Sequence, residues 1–275
     1  MAEENVLIAN PIYDTVFKHL LENERVAKFF ISTLIGKTVL SIALRSPEHT
    51  YIDQKDKELK LMRMDFTVEV EEKNGQKSKI IIEMQKADKY SADIMRFRKY
   101  LGHEYMSDSL PIISIYVLGF NLPGIETACL RIGRSYYDLI EEKEMEAAAN
   151  FVESLTHDSY IVQTPRITDR LKTPLDRLLS VFEQKNFMDK TESSKYYDHP
   201  ISDDAVKEMV DILHYLSAAP EARKELENEQ YYREYLKDTF GGLYAKIDEK
   251  DQKLFAAEAE IAELKKELAK CQKYS

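Results

Sequence analysis

Apolar and polar residues follow two different periods along the first 120 residues. In two early segments apolar side chains recur every three to four residues, and Gly36 stands where the second helix should end. Later segments alternate residue by residue or are apolar almost throughout. The order helix, strand, hairpin, helix, strand predicts a mixed α/β sheet flanked by helices. The predicted elements are helices at Tyr13–Leu21 and Glu24–Ile35, strands at Thr38–Arg45, Leu61–Glu71 and Lys79–Lys86, a helix at Asp88–Ser107 and a strand at Pro111–Phe120.

The hairpin is the best-marked part of this pattern. Along Leu61–Glu71 the apolar residues face one way, and a polar stripe that includes Asp65 faces the other. Asn74 and Gly75 form a strong turn signal. The near-continuous apolar run of Lys79–Lys86 predicts a strand that is covered on both faces.

The helix after the hairpin has two candidate faces. One should pack on the sheet, and it consists of Tyr90, Ile94, Phe97, Leu101 and Tyr105. The other carries Lys89 and Arg96, which could contact a phosphate backbone or simply face solvent.

The pattern in the second half of the chain indicates three further regions. The pattern weakens between Gly124 and His199, and helices are predicted again on either side of Pro220. We therefore divide the chain into a core over residues 1–122, an α/β extension of unknown role over 123–200, a helical region over 201–239 and a coiled coil over 240–272.

A heptad repeat identifies the predicted coiled coil. The charged residues that flank its apolar seam are opposite in sign between parallel partners, which favours a parallel homodimer but leaves an antiparallel one open. The alternative is an amphipathic helix that packs on its own domain. The a positions are Phe240, Ile247, Leu254, Ile261 and Leu268, and the d positions are Leu243, Lys250, Ala257, Leu264 and Cys271.

Composition narrows the function classes. The 275 residues are 44% hydrophobic and 32% charged, with no apolar run of membrane-spanning length and no secretory signal. Two widely separated cysteines indicate free thiols, so we expect a cytoplasmic protein. The net charge of −10 lies mainly beyond residue 120, because residues 1–120 hold 17 Lys and Arg against 18 Asp and Glu. Nucleic-acid binding by the first half is therefore compatible with the charge.

Two carboxylates in the hairpin form the candidate site. Asp65 lies in one strand, and Glu83 and Gln85 share a face of the next. Carboxylates from neighbouring strands suit Mg²⁺, which can polarise a phosphate and lower the pKa of an attacking water. The alternative is that Asp65 faces solvent and that Gln85 is an ordinary hydrogen-bonding strand residue. We find no phosphate-binding glycine loop and no histidine pair at metal-ligand spacing.

Three local patterns in residues 10–120 resemble one branch of the PD-(D/E)XK nucleases, the recombination-promoting nuclease and putative transposase family. They are Asp14-Thr15-Val16-Phe17-Lys18, then Arg63-Met64-Asp65 with Ile82-Glu83-Met84-Gln85, and then Arg96 or Arg98 with Tyr100 and Tyr105. Gln stands at position 85, where Lys is usual in the superfamily and Gln is common in this branch.

The resemblance implies a restriction-endonuclease-like fold and a metal-dependent DNA endonuclease. Asp65 and Glu83 would hold Mg²⁺ or Mn²⁺, and Gln85 would help to orient the attacking water. We add the hypothesis that Lys18 supplies the charge that Gln85 lacks, with Asp14 as an accessory residue. The alternative is a non-catalytic, dimeric nuclease-fold protein that binds or regulates through a decayed site.

The hairpin turn sets a condition on this hypothesis. A strict two-residue turn at Asn74-Gly75 would pair Asp65 with Met84 and place Asp65 and Glu83 on opposite faces. The metal hypothesis requires a three-residue loop with Gly75 left-handed, or a bulge.

Overall fold

The computed structural model describes most of the chain. The described residues are 5–44, 48–52, 59–63, 66–73, 75–86, 90–107, 109–145, 150–153, 155–188 and 192–231, with single positions at 235, 250 and 253. The side chains of residues 44, 48–52, 59–63, 90–96, 150 and 153 lie outside this description. The chain divides into two compact units, residues 1–88 with 100–229 and residues 89–99 with 230–275.

The first unit contains the sheets and most of the helices. The strands are β1 (Val6–Ala9), β2 (Val39–Leu44), β3 (Glu48–Ile52), β4 (Leu59–Arg63), β5 (Phe66–Glu72), β6 (Lys77–Gln85), β7 (Ile112–Leu118), β8 (Cys129–Ile132), β9 (Tyr136–Asp138), β10 (Lys143–Met145), β11 (Asp158–Gln163) and β12 (Ser194–Tyr197). The helices are α1 (Asp14–Glu22), α2 (Glu24–Ile35), α3 (Tyr90–Ser107), α4 (Asn150–Glu153), α5 (Pro174–Ser180) and α6 (Asp204–Ala218), and residues 220–231 are also helical. Of these described helices, none combines the length and apolar character needed to cross a membrane.

A six-stranded mixed sheet organises this unit, in the order β2-β5-β6-β7-β11-β8. β5 and β6 form an antiparallel hairpin, whereas β6, β7 and β11 are parallel neighbours. The prediction of a mixed α/β sheet flanked by helices is therefore confirmed. The segment after residue 122 adds β8 and β11 to this same sheet. The pairs β1–β12, β3–β4 and β9–β10 form separate two-stranded ladders.

One face of the sheet, which we call the apolar face, carries the main core. Alternate residues of β5, β6 and β7 point to it, as represented by Val68, Ile82 and Ile115. The helices α1, α2, α5 and α6 contribute their buried residues to the same cluster. At its centre the rings of Phe17, Phe30 and Phe182 lie with centroids 5.6 to 6.2 Å apart, in edge-on or tilted contacts.

The opposite face, which we call the polar face, buries charge. Ile81 contacts Tyr100 and Ile112 in a small apolar cluster there. Beside it, Lys79 is fully buried, and its Nζ lies 2.6 Å from Glu104 Oε2 and donates to Ser107 Oγ at 2.6 Å. β6 is thus covered on both faces, as its apolar run predicted.

Three local predictions are confirmed. α2 ends at Gly36, which adopts a left-handed conformation (φ 70°) and donates its N–H to the Ser32 carbonyl. β2 lies where Thr38–Arg45 predicted a strand, and β7 lies within Pro111–Phe120.

The prediction of one strand over Leu61–Glu71 is wrong. β4 ends at Arg63 and pairs with β3, whereas β5 begins at Phe66 and pairs with β2 and β6. Alternation continues through both segments because each has its own partner strand, and sequence alternation does not identify partners.

The predicted packing face of α3 is confirmed for Leu101, which packs against the cluster of Ile81, Tyr100 and Ile112, but it is wrong for Tyr105. Tyr100 is buried against the sheet, whereas Tyr105 is 36% exposed and its hydroxyl lies 2.6 Å from His157 Nδ1. Lys79 explains the difference, because burying its charge requires Glu104 to face the sheet. Tyr100, one turn before Glu104, faces the sheet with it.

The buried ion pair gives a prediction about stability. Lys79→Met should lower the free energy of unfolding by about 3–5 kcal/mol, because it leaves the Glu104 carboxylate buried without its cation. The double variant Lys79→Met/Glu104→Met should recover most of that loss. Urea unfolding of each variant measures the effect.

Lys28→Met provides the control, since Lys28 pairs with Glu24 at 2.7 Å on the surface of α2. It should cost no more than about 0.5 kcal/mol. Equal losses for Lys79→Met and Lys28→Met would contradict the assigned role of the buried pair.

Candidate functional site

The β5–β6 turn decides which residues share a face with Glu83. The pairing runs from Glu71 opposite Lys77 to Phe66 opposite Ile82, so the loop spans three positions, 73–75. Gly75 is left-handed (φ 81°) and donates its N–H to the Glu72 carbonyl. This is the loop that the metal hypothesis requires. Glu83 consequently lies on the polar face, which it shares with Thr67 of β5.

Glu83 is a buried carboxylate. Its side chain is 1% exposed, and it lies opposite Tyr116 in the parallel pairing of β6 with β7. Burial raises the pKa of the Tyr116 phenol, a hydrogen bond to Ser114 lowers it, and the negative charge of Glu83 raises it again. The polar face therefore combines acceptor oxygens with a neutral phenol around Glu83.

Gln85 is the last residue of β6 and lies two positions after Glu83, on the same face. Its backbone carbonyl accepts the Gly119 N–H at 2.8 Å, just beyond the end of β7. A Cβ at Gly119 would lie 2.5 Å from the Lys86 carbonyl oxygen, so only glycine fits this approach. The close packing of the chain after β6 against the chain after β7 therefore fixes the backbone position of Gln85.

Asp14 and Lys18 lie together at the start of α1. Lys18 Nζ donates to Asp14 Oδ2 at 2.9 Å, and both side chains are partly exposed. The backbone N–H groups of Asp14 and Thr15 each donate to the Glu229 carboxylate at 3.1 Å. An anion thus already occupies the positive end of this helix.

A cation–π contact connects α1 to the end of β6. Lys86 follows Gln85 directly, and its Nζ lies 3.9 Å from the centroid of the Tyr13 ring. Tyr13 precedes Asp14, so the two predicted groups, Glu83 with Gln85 and Asp14 with Lys18, are linked through neighbouring residues. Sequence reasoning missed Lys86, because nothing in the local pattern indicates that its side chain reaches Tyr13.

Three predicted site residues are not described by the structure. Asp65 and Lys89 lie outside the described residues, and the side chain of Arg96 in α3 does so as well. The predicted coiled coil, 240–272, also lies outside them apart from Lys250 and Lys253, which are helical and exposed.

A second group of residues could hold a metal ion. Asp169, Glu183 and His199 each present one ligand atom, and these atoms lie within 4.8 Å of one another. His199 Nε2 is 2.8 Å from Glu183 Oε2, and Glu183 is buried. A mixed nitrogen and oxygen donor set of this kind suits a divalent transition metal. Sequence reasoning missed the group because its members are far apart in sequence and follow no ligand spacing.

Lys185 already places a positive charge in this group. Its Nζ lies 2.9 Å from Asp169 Oδ1 and 2.8 Å from Glu183 Oε1. These hydrogen bonds raise the pKa of Lys185, and the hydrogen bond from Lys185 lowers the pKa of Asp169. A second cation, Lys195, donates to the Glu183 backbone carbonyl, and burial lowers its pKa to about 8. A metal ion would therefore compete with an ammonium group for the same two carboxylates.

This competition predicts that Lys185→Ala increases metal affinity. Removing a unit charge about 3 Å from both ligand carboxylates should increase Zn²⁺ affinity by at least about tenfold over wild type. Isothermal titration of each protein with Zn²⁺ measures the change. His199→Gln in the Lys185→Ala background should remove the gain.

Lys28→Ala is the control for nonspecific gains in affinity, because it also removes a paired lysine charge, that of Lys28 with Glu24, at a place that has no third ligand among the described residues. If Lys185→Ala binds Zn²⁺ no better than Lys28→Ala, Lys185 does not compete with a metal.

Comparison with known proteins adds no relative that could assign these residues a role. No protein-family model, no curated protein and no solved structure matches the chain.

Proposed function

We propose that the chain is a Mg²⁺-dependent DNA endonuclease of the PD-(D/E)XK type, with a restriction-endonuclease-like core and a place in the recombination-promoting nuclease branch. The observation that carries the proposal is the register of the β5–β6 hairpin. Its three-residue loop gives the buried Glu83 the face that a two-carboxylate metal site requires. The order of helix, strand, hairpin, helix and strand around Glu83 also agrees with the resemblance.

Continuing the register by one pair beyond Phe66–Ile82 would set Asp65 directly opposite Glu83. Residues directly opposite in an antiparallel pair have Cβ atoms about 5 Å apart, which allows one ion to bind both carboxylates. The proposed ligands all offer oxygen, the donor that Mg²⁺ and Mn²⁺ prefer. When bound, the ion would polarise the scissile phosphate and lower the pKa of the attacking water.

The surrounding residues would bind and orient the substrate. The Gln85 amide can both donate and accept, so it can hold a water in a fixed orientation near Glu83. It carries no positive charge, however, and Lys18 shares its charge with Asp14. Lys86 supplies a further cation at this end of β6. We assign contacts with the DNA backbone to Lys89 and Arg96, which follow the hairpin in the sequence.

Plasmid cleavage with Mg²⁺ or Mn²⁺ tests the function. Glu83→Gln and Asp65→Asn should each reduce nicking by about a hundredfold or more, because each removes a ligand charge while keeping the size of the side chain. Glu69→Gln, which removes a carboxylate from the same polar face of β5, is the matched control and should cleave like wild type.

Thermal unfolding checks that these variants fold. Glu83→Gln should remain folded, since it keeps the size and shape of the buried side chain. Normal cleavage by Glu83→Gln would refute the proposed site. A folded, inert wild-type protein would instead support the non-catalytic alternative, which the absence of a lysine at position 85 favours.

We further propose that residues 240–272 pair two copies as a parallel coiled coil, which would suit a nuclease that cuts both strands of DNA. Leu264→Lys, at a d position, should convert a dimer to a monomer because it buries charge in the seam. Glu263→Lys, at the adjacent outward position, should leave the dimer intact. Light scattering gives the masses, and a monomeric wild type would refute the pairing.

A further inference from the structure

A cavity of about 220 Å³ opens at the far end of the sheet from Gln85. It lies where the parallel strands begin, at Ser78 of β6, Ile112 of β7 and Asp158 of β11. Ser78 and Gln85 are seven positions apart along β6, a distance of roughly 20 Å. The cavity is therefore distinct from the proposed nuclease site.

The walls of the cavity carry an excess of positive charge. Among the described residues that line it, Lys37, Arg131 and Arg134 are cationic and Asp158 is the one carboxylate. Arg131 Nη2 lies 2.6 Å from Asp158 Oδ2, and Arg134 Nε lies 3.7 Å from Asp158 Oδ1. Two guanidinium groups thus share a single carboxylate. The chain as a whole carries a net charge of −10, so the charge of these walls is opposite in sign to that of the whole chain.

Nearby negative charge does not cancel this excess. Lys37 Nζ lies 2.8 Å from Glu72 Oε1, which neutralises one of the three cations. The C-terminal end of α2, at Ile35, adds a partial negative charge of about one half. Asp158 neutralises one of the two charges of Arg131 and Arg134, and the full positive charge that remains exceeds the partial negative charge of the helix end. Burial lowers the pKa of His157, which precedes Asp158, the positive charge of Arg134 lowers it further, and the negative charge of Asp158 raises it in part.

The binding groups are held in place before any ligand arrives. Arg134 Nη1 donates to the Thr156 carbonyl at 2.9 Å, which orients its guanidinium. Tyr160 is buried, and its hydroxyl donates to the Ile35 carbonyl at 3.3 Å. Arg131, in contrast, is 58% exposed, so it can turn towards an incoming anion. Preorganised donors of this kind reduce the entropy lost on binding.

The remaining walls suit a flat organic group. Tyr136 provides an aromatic ring, and Pro111, Ile112 and Ile113 provide apolar surface. A phosphomonoester carries close to two negative charges at pH 7, which matches the cations, and a planar ring can stack on tyrosine.

We propose that this cavity binds a small organic phosphate with a planar ring, of about the size of a mononucleotide. The phosphate would lie between Arg131 and Arg134, where it competes with Asp158, and the ring would lie against Tyr136. Bidentate guanidinium contacts give phosphate a fixed orientation there.

Isothermal titration with dAMP, inorganic phosphate and deoxyadenosine tests this proposal. Wild type should bind dAMP at millimolar concentration or below, more tightly than either inorganic phosphate or deoxyadenosine. Deoxyadenosine binding as tight as that of dAMP would overturn the role of the cations. Inorganic phosphate binding as tight as that of dAMP would overturn the role of the ring.

Two variants should shift dAMP affinity in opposite directions. Arg131→Gln should weaken binding about tenfold, because it removes a charge-assisted hydrogen bond. Asp158→Asn should tighten binding, because it frees both guanidinium groups from their shared carboxylate. If Asp158→Asn remains folded and weakens binding, the ligand is not held as an anion and the proposal fails.

Arg170→Gln is the matched control. Arg170 is 59% exposed and pairs with Asp176 at 2.9 Å, which closely resembles the setting of Arg131, but it does not line the cavity. It should bind dAMP like wild type. Equal losses for Arg170→Gln and Arg131→Gln would show that general surface charge, and not the cavity, attracts the nucleotide.

Discussion

The three-residue turn between β5 and β6 sets the register on which both sides of the sheet depend. Alternate residues of a strand point to opposite faces, so a shift of one residue would exchange the environments of all side chains on one strand. Ile80 and Ile82 would then leave the core, and Lys79 and Glu83 would enter it. Each charge buried among apolar groups would cost several kcal/mol, and Lys79 would lose its ion pair with Glu104. The left-handed Gly75 allows the three-residue loop that gives the observed register. The preference of the isoleucines for one face and of the charged residues for the other then maintains that register.

The two ends of the sheet present different charged side chains. The carboxyl end of β6 presents Glu83, and the amino ends of the parallel strands lie beside Arg131 and Arg134. The segment after residue 122 contributes to this difference, because β8 carries Arg131 and β11 carries Asp158. The extension is consequently part of the sheet, and it supplies the charged residues Arg131 and Asp158 of the cavity.

The sequence predicted the features of the fold that depend on a local pattern of residues. α2 with its Gly36 end, the doubly covered β6 and the order of elements around the hairpin all follow from periods of two or 3.6 residues. Which strands pair with each other is harder to predict from the sequence. The alternation of Leu61–Glu71 did not reveal that its first half pairs with β3. The face of α3 depends on a single ion pair with Lys79, which no periodicity contains. The cluster of Asp169, Glu183 and His199 forms only through tertiary structure, so no local sequence pattern predicts it.

The small β1–β12 ladder has a consequence for the order of folding. It joins Val6–Ala9 to Ser194–Tyr197, whereas the β5–β6 hairpin joins segments separated by a short turn. Closing a long loop costs more chain entropy than closing a turn, so the hairpin can form early and the ladder only late. During synthesis β1 emerges from the ribosome long before its partner β12 exists. The apolar strand β1 lacks its partner throughout that interval and is then available for association with other chains.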